Sequence, residues 1–183
     1  VGLSIFGFSR ADFSFIDFIF AARTSLLHAT EIGTGGGLVS IFLSTTVAIR
    51  GGQLRSFDIK DCRGEGIMRA WNTKHAKFTA LNTFEGPDMA HPEVVDAVKR
   101  PNTLNLFDGG SKMFEVGAFG HHIDTSSIFL IHDWEDETFE EGFEETLYEI
   151  GFDRIYWDFA EQLGSGEPAS ISQQTRMFMQ ISA

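Results

Sequence analysis

Short apolar runs and helical patterns alternate along this chain, and that alternation restricts the fold more than any single motif. Runs at 26–32, 53–58, 76–82, 103–107 and 126–134 read as strands. Helices are expected between them at 36–49, 65–72, 93–99 and 111–120, with Pro101 stopping the third. SSIFLIHDW at 126–134 is almost continuously apolar, the pattern of a strand buried on both faces of a parallel sheet. An acidic amphipathic helix at 135–150 follows, its Phe139, Phe143, Leu147 and Ile150 spaced by four, four and three. The last two strands, 154–159 and 175–182, are joined by a Gly/Ser/Pro loop with no room for a crossover helix, so they pair antiparallel. Five strand–helix units and a terminal hairpin make a single α/β domain, a doubly wound sheet with helices on both faces. A chain of 183 residues is long enough to bury the core of three such layers.

The leading segment, VGLSIFGFSRADFSFIDFIFAARTSLL, is rich enough in apolar residues to suggest a membrane span. Arg10, Asp12, Asp17 and Arg23 interrupt it, and no stretch of about 18 uncharged apolar residues occurs, so no span is expected. Charges inside the apolar stretch also fit a signal peptide poorly. Residues 12–25 read as a Phe-rich helix packed on the domain, the other reading being a helix that binds a partner. A net charge of −12 repels phosphate backbones and no Lys/Arg cluster offsets it, so no nucleic-acid partner is expected. Cys62 stands alone, which permits no internal disulfide and fits a reducing compartment; the expected location is cytoplasmic.

In a doubly wound sheet, ligands bind beyond the carboxyl ends of the strands, near the point where the strand order reverses. Polar residues follow each expected strand: Glu31 and Gly33, then Asp58, residues 82–85, Asp108, and finally His132 and Asp133. Gly33, Gly35, Gly36 and Gly37 allow positive backbone dihedrals and let a ligand lie against bare amides; a tight strand-to-helix turn is the plainer alternative. Asp58 comes 25 residues after Gly33, where an acid ending the second strand accepts hydrogen bonds from ribose hydroxyls; a solvated turn is the alternative there. Leu38 stands where a dinucleotide loop has its third glycine, and a carboxylate at Glu31 would repel a pyrophosphate. A ligand carrying positive charge suits the position better.

EIGTGGG at 31–37, Asp58 downstream and a terminal hairpin together resemble the class I S-adenosylmethionine-dependent methyltransferases, from residue 26 to the end of the chain. The resemblance implies a seven-stranded sheet of order 3-2-1-4-5-7-6 with strand 7 antiparallel. It implies S-adenosylmethionine as cofactor, held by Glu31, Gly33, Thr34, Gly35, Asp58, Thr83 and Asp108. FDGGSK at 107–112 and IHDW at 131–134 are similar to small-molecule O-methyltransferases of the cephalosporin-hydroxylase-like and catechol-methyltransferase-like branches. In those branches acids ending the fourth and fifth strands hold a divalent metal. That implies Mg2+ on Asp108 and Asp133, with Glu135 or Asp136 as further groups. The chain departs from the catechol pattern: it has His-Asp-Trp in place of Asp-Asn, and Lys112 stands four residues after the aspartate instead of three.

Methyl transfer from a sulfonium is an in-line displacement, in which the protein aligns the two partners and removes a proton from the acceptor. Lys112, His132 and Asp133 are the candidate catalytic residues. The alternatives are an ion pair between Lys112 and a nearby carboxylate, and a His132 that orients Asp133. His75, His91, His121 and His122 lack metal-ligand spacing, the acidic run at 133–145 lacks the pattern of a calcium loop, and no serine has a G-x-S-x-G context. The expected function is methyl transfer to an oxygen of a small molecule such as a sugar, a phenol or a secondary metabolite. The competing readings are a nucleotide-cofactor oxidoreductase and a non-catalytic nucleoside- or partner-binding domain. With no large insertion above the substrate side, either the leading helix or a second subunit in a homodimer must cover the site.

Overall fold

The computed structural model describes residue 8 and residues 10–71, 74–86, 89–110, 112–132, 143–149, 151–154 and 176–180. In chain order the elements are α1 (Arg10–Ala22), β1 (His28–Ile32), α2 (Leu38–Ile49), β2 (Leu54–Asp58), α3 (Glu65–Ala70), β3 (Ala76–Ala80), β4 (Phe84–Gly86) and β5 (Met89–Ala90). There follow α4 (Pro92–Val98), β6 (Thr103–Phe107), α5 (Lys112–Phe119), β7 (Ile128–Ile131), α6 (Phe143–Glu149), β8 (Phe152–Arg154) and β9 (Arg176–Gln180).

The main sheet has the order β3-β2-β1-β6-β7-β9-β8. Its first five strands are parallel, as the alternating pattern requires, and β9 runs antiparallel to both β7 and β8. The order reverses between β1 and β6, which are direct neighbours in register from His28↔Thr103 to Ile32↔Phe107.

Alternation along the strands divides the core into two layers. Ile128 and Leu130 of β7 join Leu104 and Leu106 of β6 under α1 and α2, with Phe15, Ile16, Ile19, Phe20, Leu43 and Val47 facing them. Phe129 and Ile131 join Phe107 on the opposite face, packed against Val94, Val98, Val116, Phe119 and Leu147 of α4, α5 and α6. Among the described residues no helix is long and apolar enough to cross a membrane.

The observed elements differ from the sequence expectation in three places. The leading helix occupies Arg10–Ala22 instead of 12–25, because the chain turns at Thr24 and Ser25 to enter β1. The segment between β3 and α4, where no strand is expected, holds a two-stranded ribbon, β4 with β5. The strand expected at 154–159 already begins at Phe152: Gly151, with φ 90°, ends the turn after α6 and sends the chain directly into the sheet. Residues 155–159 lie outside the described residues, as does most of the helix expected at 135–150.

Candidate active site

The carboxyl ends of β1, β2 and β6 open onto a cavity of about 390 Å³. Its backbone lining is the loop from Gly33 to Gly37, in which Gly33, Gly35 and Gly37 all have positive φ. Its side chains include three carboxyls (Glu31, Asp58 and Asp108), the ammonium of Lys112, the hydroxyl of Thr34, the ring of Phe8 and the apolar Leu38 and Val39. Asp58 and Asp108 against one base make the cavity receptive to a cation and hostile to a pyrophosphate.

Glu31 is fully buried, and the fold explains how it is tolerated. Parallel register sets it opposite Ser56 of β2, and α2, starting directly after the glycine loop, brings Ser40 over the same face. Both hydroxyls donate to Glu31 Oε2 at 2.5 Å. Ser56 Oγ also shares a 2.5 Å hydrogen bond with Thr34 Oγ1, tying the loop to the network. Burial nevertheless pushes the Glu31 carboxyl up to about 8; the two serine hydroxyls pull against that rise, and the nearby carboxylates of Asp108 and Asp58 add to it. Asp58 fixes the other side of the loop, its Oδ2 accepting the Gly35 amide at 2.8 Å.

Asp108 ends β6 and gathers the basic groups. His132 Nδ1 donates to Asp108 Oδ1 at 3.1 Å, and Lys112 Nζ stands 3.8 Å from the same oxygen while donating to the Gly109 carbonyl at 2.9 Å. Both basic side chains are buried. The His132 ring is stacked on Phe8, with centroids 3.9 Å apart and planes within 7°. The leading segment therefore reaches the site and closes one wall of it.

A second cavity of about 320 Å³ adjoins the first and shares Gly33, Asp58, Gly109 and Gly110 with it. Phe57 and Ile59 give it apolar walls, and Asn82, Thr83 and Glu115 give it polar groups. One cavity is thus lined by acids and bare backbone, the other is a mostly apolar slot, and Asp58 lies between them.

Of the residues singled out in the sequence, Glu31, Gly33, Thr34, Gly35, Asp58, Asp108 and Lys112 line the first cavity and Thr83 the second. His132 joins them through Asp108, and Asp133 lies outside the described residues. Phe8, Ser40, Ser56 and Glu115 were not anticipated, since each enters through a contact distant in sequence; a serine opposite Glu31 is legible only once strand register is known. Among the described residues no group of three or more His, Cys, Asp or Glu could hold a metal ion. The Lys112 ammonium already brings positive charge to Asp108.

No family model and no curated protein matches the chain. Solved structures do. CmcI with SAH is 12% identical over 94% of this chain and 78% of its own, with a TM-score of 0.63. The O-methyltransferase TomG from Streptomyces achromogenes, involved in tomaymycin synthesis and in complex with SAM, is 13% identical over 96% and 82%, with a TM-score of 0.60. Cofactor-bound Rv0187 from MTB is 12% identical over 99% and 83%, with a TM-score of 0.64. The chain has the fold of these proteins. In that fold the glycine loop after β1 and the acid ending β2 stand at the reversal of strand order, where both cavities open.

Proposed function

We propose that this chain is an S-adenosylmethionine-dependent methyltransferase that transfers a methyl group to an oxygen of a small molecule. The observation that carries the reading is the pair of adjoining cavities at the carboxyl ends of the strands, one lined by three carboxyls and a glycine loop, the other by apolar walls. A cofactor with a cationic sulfonium arm and a flat base matches both, and TomG, of the same fold, was solved with SAM. The reading also takes the whole sheet as the order 3-2-1-4-5-7-6 with strand 7 antiparallel.

In this assignment the methionine arm and sulfonium lie against Gly33, Thr34, Gly35 and Glu31 in the first cavity, where the carboxylate of Asp108 complements positive charge. Asp58, between the cavities, takes the ribose hydroxyls. The base enters the second cavity beside Thr83. The acceptor oxygen attacks the methyl carbon in line with sulfur: a C–O bond forms, the C–S bond breaks, and its electron pair leaves a neutral thioether. Lys112, which lines the cavity, takes the acceptor proton once its own ammonium proton has left to solvent, and Asp108 stabilises the ammonium that re-forms. His132 holds Asp108 in place, and Asp133 follows His132 in the sequence. A second CmcI structure holds Mg and SAM; here Asp108 and Asp133 are the residues that would hold such a cation, which would lower the pKa of an acceptor hydroxyl.

Calorimetric titration with S-adenosylmethionine and S-adenosylhomocysteine, with NAD as control and with and without magnesium, tests the reading. Binding of the sulfur nucleosides that is lost in Asp58→Ala supports it. Preference for NAD, or no binding of either sulfur nucleoside, ends it.

A further inference from the structure

The far end of the sheet holds a feature that methyl transfer leaves unused. Where β2 and β3 begin, Gln53 and Arg55 line a cavity of about 200 Å³ with Lys74, His75 and Lys77, while Asp58 and the first cavity lie where β2 ends. Parallel register sets Arg55 beside Lys77, and like charges so placed repel. Glu93 of α4 offsets both with a single oxygen, Oε2 lying 3.1 Å from Arg55 Nη2 and 3.3 Å from Lys77 Nζ. Arg100 adds a further charge, its Nη1 donating to Gln53 Oε1 at 3.1 Å. Burial and the Arg55 charge pull the Arg100 guanidinium below its ordinary value, and burial and Arg100 do the same to His28. Arg55 Nε is buried with no hydrogen-bond partner among the described residues. A chain of net charge −12 thus gathers Arg55, Lys74, Lys77 and Arg100 around one carboxylate.

We propose that this cavity binds a small phosphate-bearing anion, whose oxygens accept hydrogen bonds from Arg55, Lys74 and Lys77. The site goes beyond the methyltransferase reading and does not rest on it. Surplus positive charge calls for an anion, and donors arriving from two strands and from the turn before β3 call for one with acceptors on several sides. A carboxylate presents two oxygens in one plane and a single charge, whereas a phosphate group presents three strong acceptors and up to about two charges. Guanidinium and ammonium groups are the donors that suit it. His75, whose Nδ1 donates to the Gly52 carbonyl at 2.9 Å, forms a fixed part of the wall. The size of the cavity limits the occupant to one compact group, and the negative charge of the rest of the chain opposes a polyanion such as a nucleic acid.

The test titrates inorganic phosphate and monomethyl phosphate calorimetrically into the full chain at low ionic strength, with methanol as the uncharged control. Saturable binding of one or both phosphates, and none of methanol, is expected. Lys74→Gln combined with Lys77→Gln should weaken that binding about tenfold or more. Lys74→Arg combined with Lys77→Arg, which keeps both charges, should retain most of it. Lys60→Gln, which removes an exposed charge beyond the other end of β2, should leave it unchanged. Lys74 and Lys77 are both exposed, so their replacement removes no core packing. If the double glutamine variant does not fold, Lys74→Gln alone leaves the pair between Lys77 and Glu93 intact and should weaken binding about threefold. Absence of saturable phosphate binding overturns the proposal. So does a double glutamine variant that binds as the wild type does, or an equal loss in Lys60→Gln, which would make the effect one of net charge. Tighter binding of the ester identifies the occupant as a phosphomonoester and tighter binding of inorganic phosphate identifies it as the free ion; both uphold the site.

Discussion

A β-carbon on Gly33 would come within 2.1 Å of the carbonyl oxygen of Asp108. The two residues follow the paired strand ends Ile32 and Phe107, so the start of the glycine loop and the acid ending β6 are packed backbone to backbone. Gly33 also has φ 92°, a conformation that disfavours a side chain whatever the space. Gly33→Ala combines backbone strain of about 1–3 kcal/mol with overpacking of similar size, and the expected destabilisation is roughly 2–4 kcal/mol. Gly35→Ala is the control: its φ is 48° and nothing lies within 4 Å of its β-carbon, so only the conformational cost of about 1–2 kcal/mol applies. Urea unfolding of both variants checks the order, and equal midpoints would contradict the packing argument.

The buried Glu31 makes stability depend on pH in a stated direction. Its ordinary value is 4.5 and burial raises it to about 8. Between those values the native state keeps a proton that the unfolded chain has released, so this group's contribution to stability falls as pH rises through that window and levels off above about 8. The slope per proton is roughly 1 kcal/mol per pH unit. Glu31→Gln removes it while keeping an acceptor for Ser40 and Ser56. Denaturation curves at pH 5, 7 and 9, on the order of a few pH units apart, should show the variant gaining on the wild type as pH rises. Parallel pH profiles for the two proteins would sink the prediction.

The five parallel strands were legible because each is a short run rich in apolar residues with polar residues or glycine just beyond it, a local signal. The strand ends then identified Glu31, Asp58, Asp108 and Lys112, because a parallel α/β sheet has one end at which ligands meet it. What stayed hidden depends on pairing across distance. Ser56 supports Glu31 through strand register, Glu115 enters the second cavity because residue 109 has no side chain, and Phe8 reaches His132 from the far end of the chain. The β4/β5 ribbon was hidden for a local reason: strands of three and two residues are too short to show an alternating pattern.

Phe8 should matter more for turnover than for cofactor affinity. Its ring is stacked on His132 and also meets Phe13 at 6.0 Å, which in turn meets Phe42 of α2 at 5.2 Å. This aromatic chain anchors the leading segment over the Asp108 cluster. Phe8→Ala should cost about 3 kcal/mol of stability through the lost packing. Phe8→Leu recovers much of that but not the stacked ring, so it separates fold from positioning. With a methyl acceptor in hand, Phe8→Leu should lower kcat about tenfold or more and change the S-adenosylhomocysteine Kd less than it changes kcat. A variant that weakens affinity and leaves kcat intact would make Phe8 a wall of the cofactor cavity and nothing more.

Lys112 is where the structural and catalytic readings diverge most sharply. Its side chain is 2% exposed and that of its partner Asp108 18%, with Nζ 3.8 Å from Oδ1 and hydrogen-bonded to the Gly109 carbonyl. Lys112→Met removes the ammonium but leaves the carboxylate in a largely buried place. Discounted for the partial exposure of Asp108, the loss should be roughly 2–3 kcal/mol. Lys112→Met combined with Asp108→Asn removes both charges and should recover most of that stability, since the penalty comes from the stranded charge and not from the absence of the pair. If Lys112 takes the acceptor proton, the double variant will be stable yet slower than Asp108→Asn alone by about 10²–10⁴, and it will still bind S-adenosylhomocysteine. If Lys112 serves only to balance Asp108, the double variant will turn over at the rate of Asp108→Asn. Thermal unfolding and methyl-transfer rates measured on the wild type, Lys112→Met, Asp108→Asn and the double variant distinguish the two, because the last two proteins share the loss of Asp108 and differ only in the base.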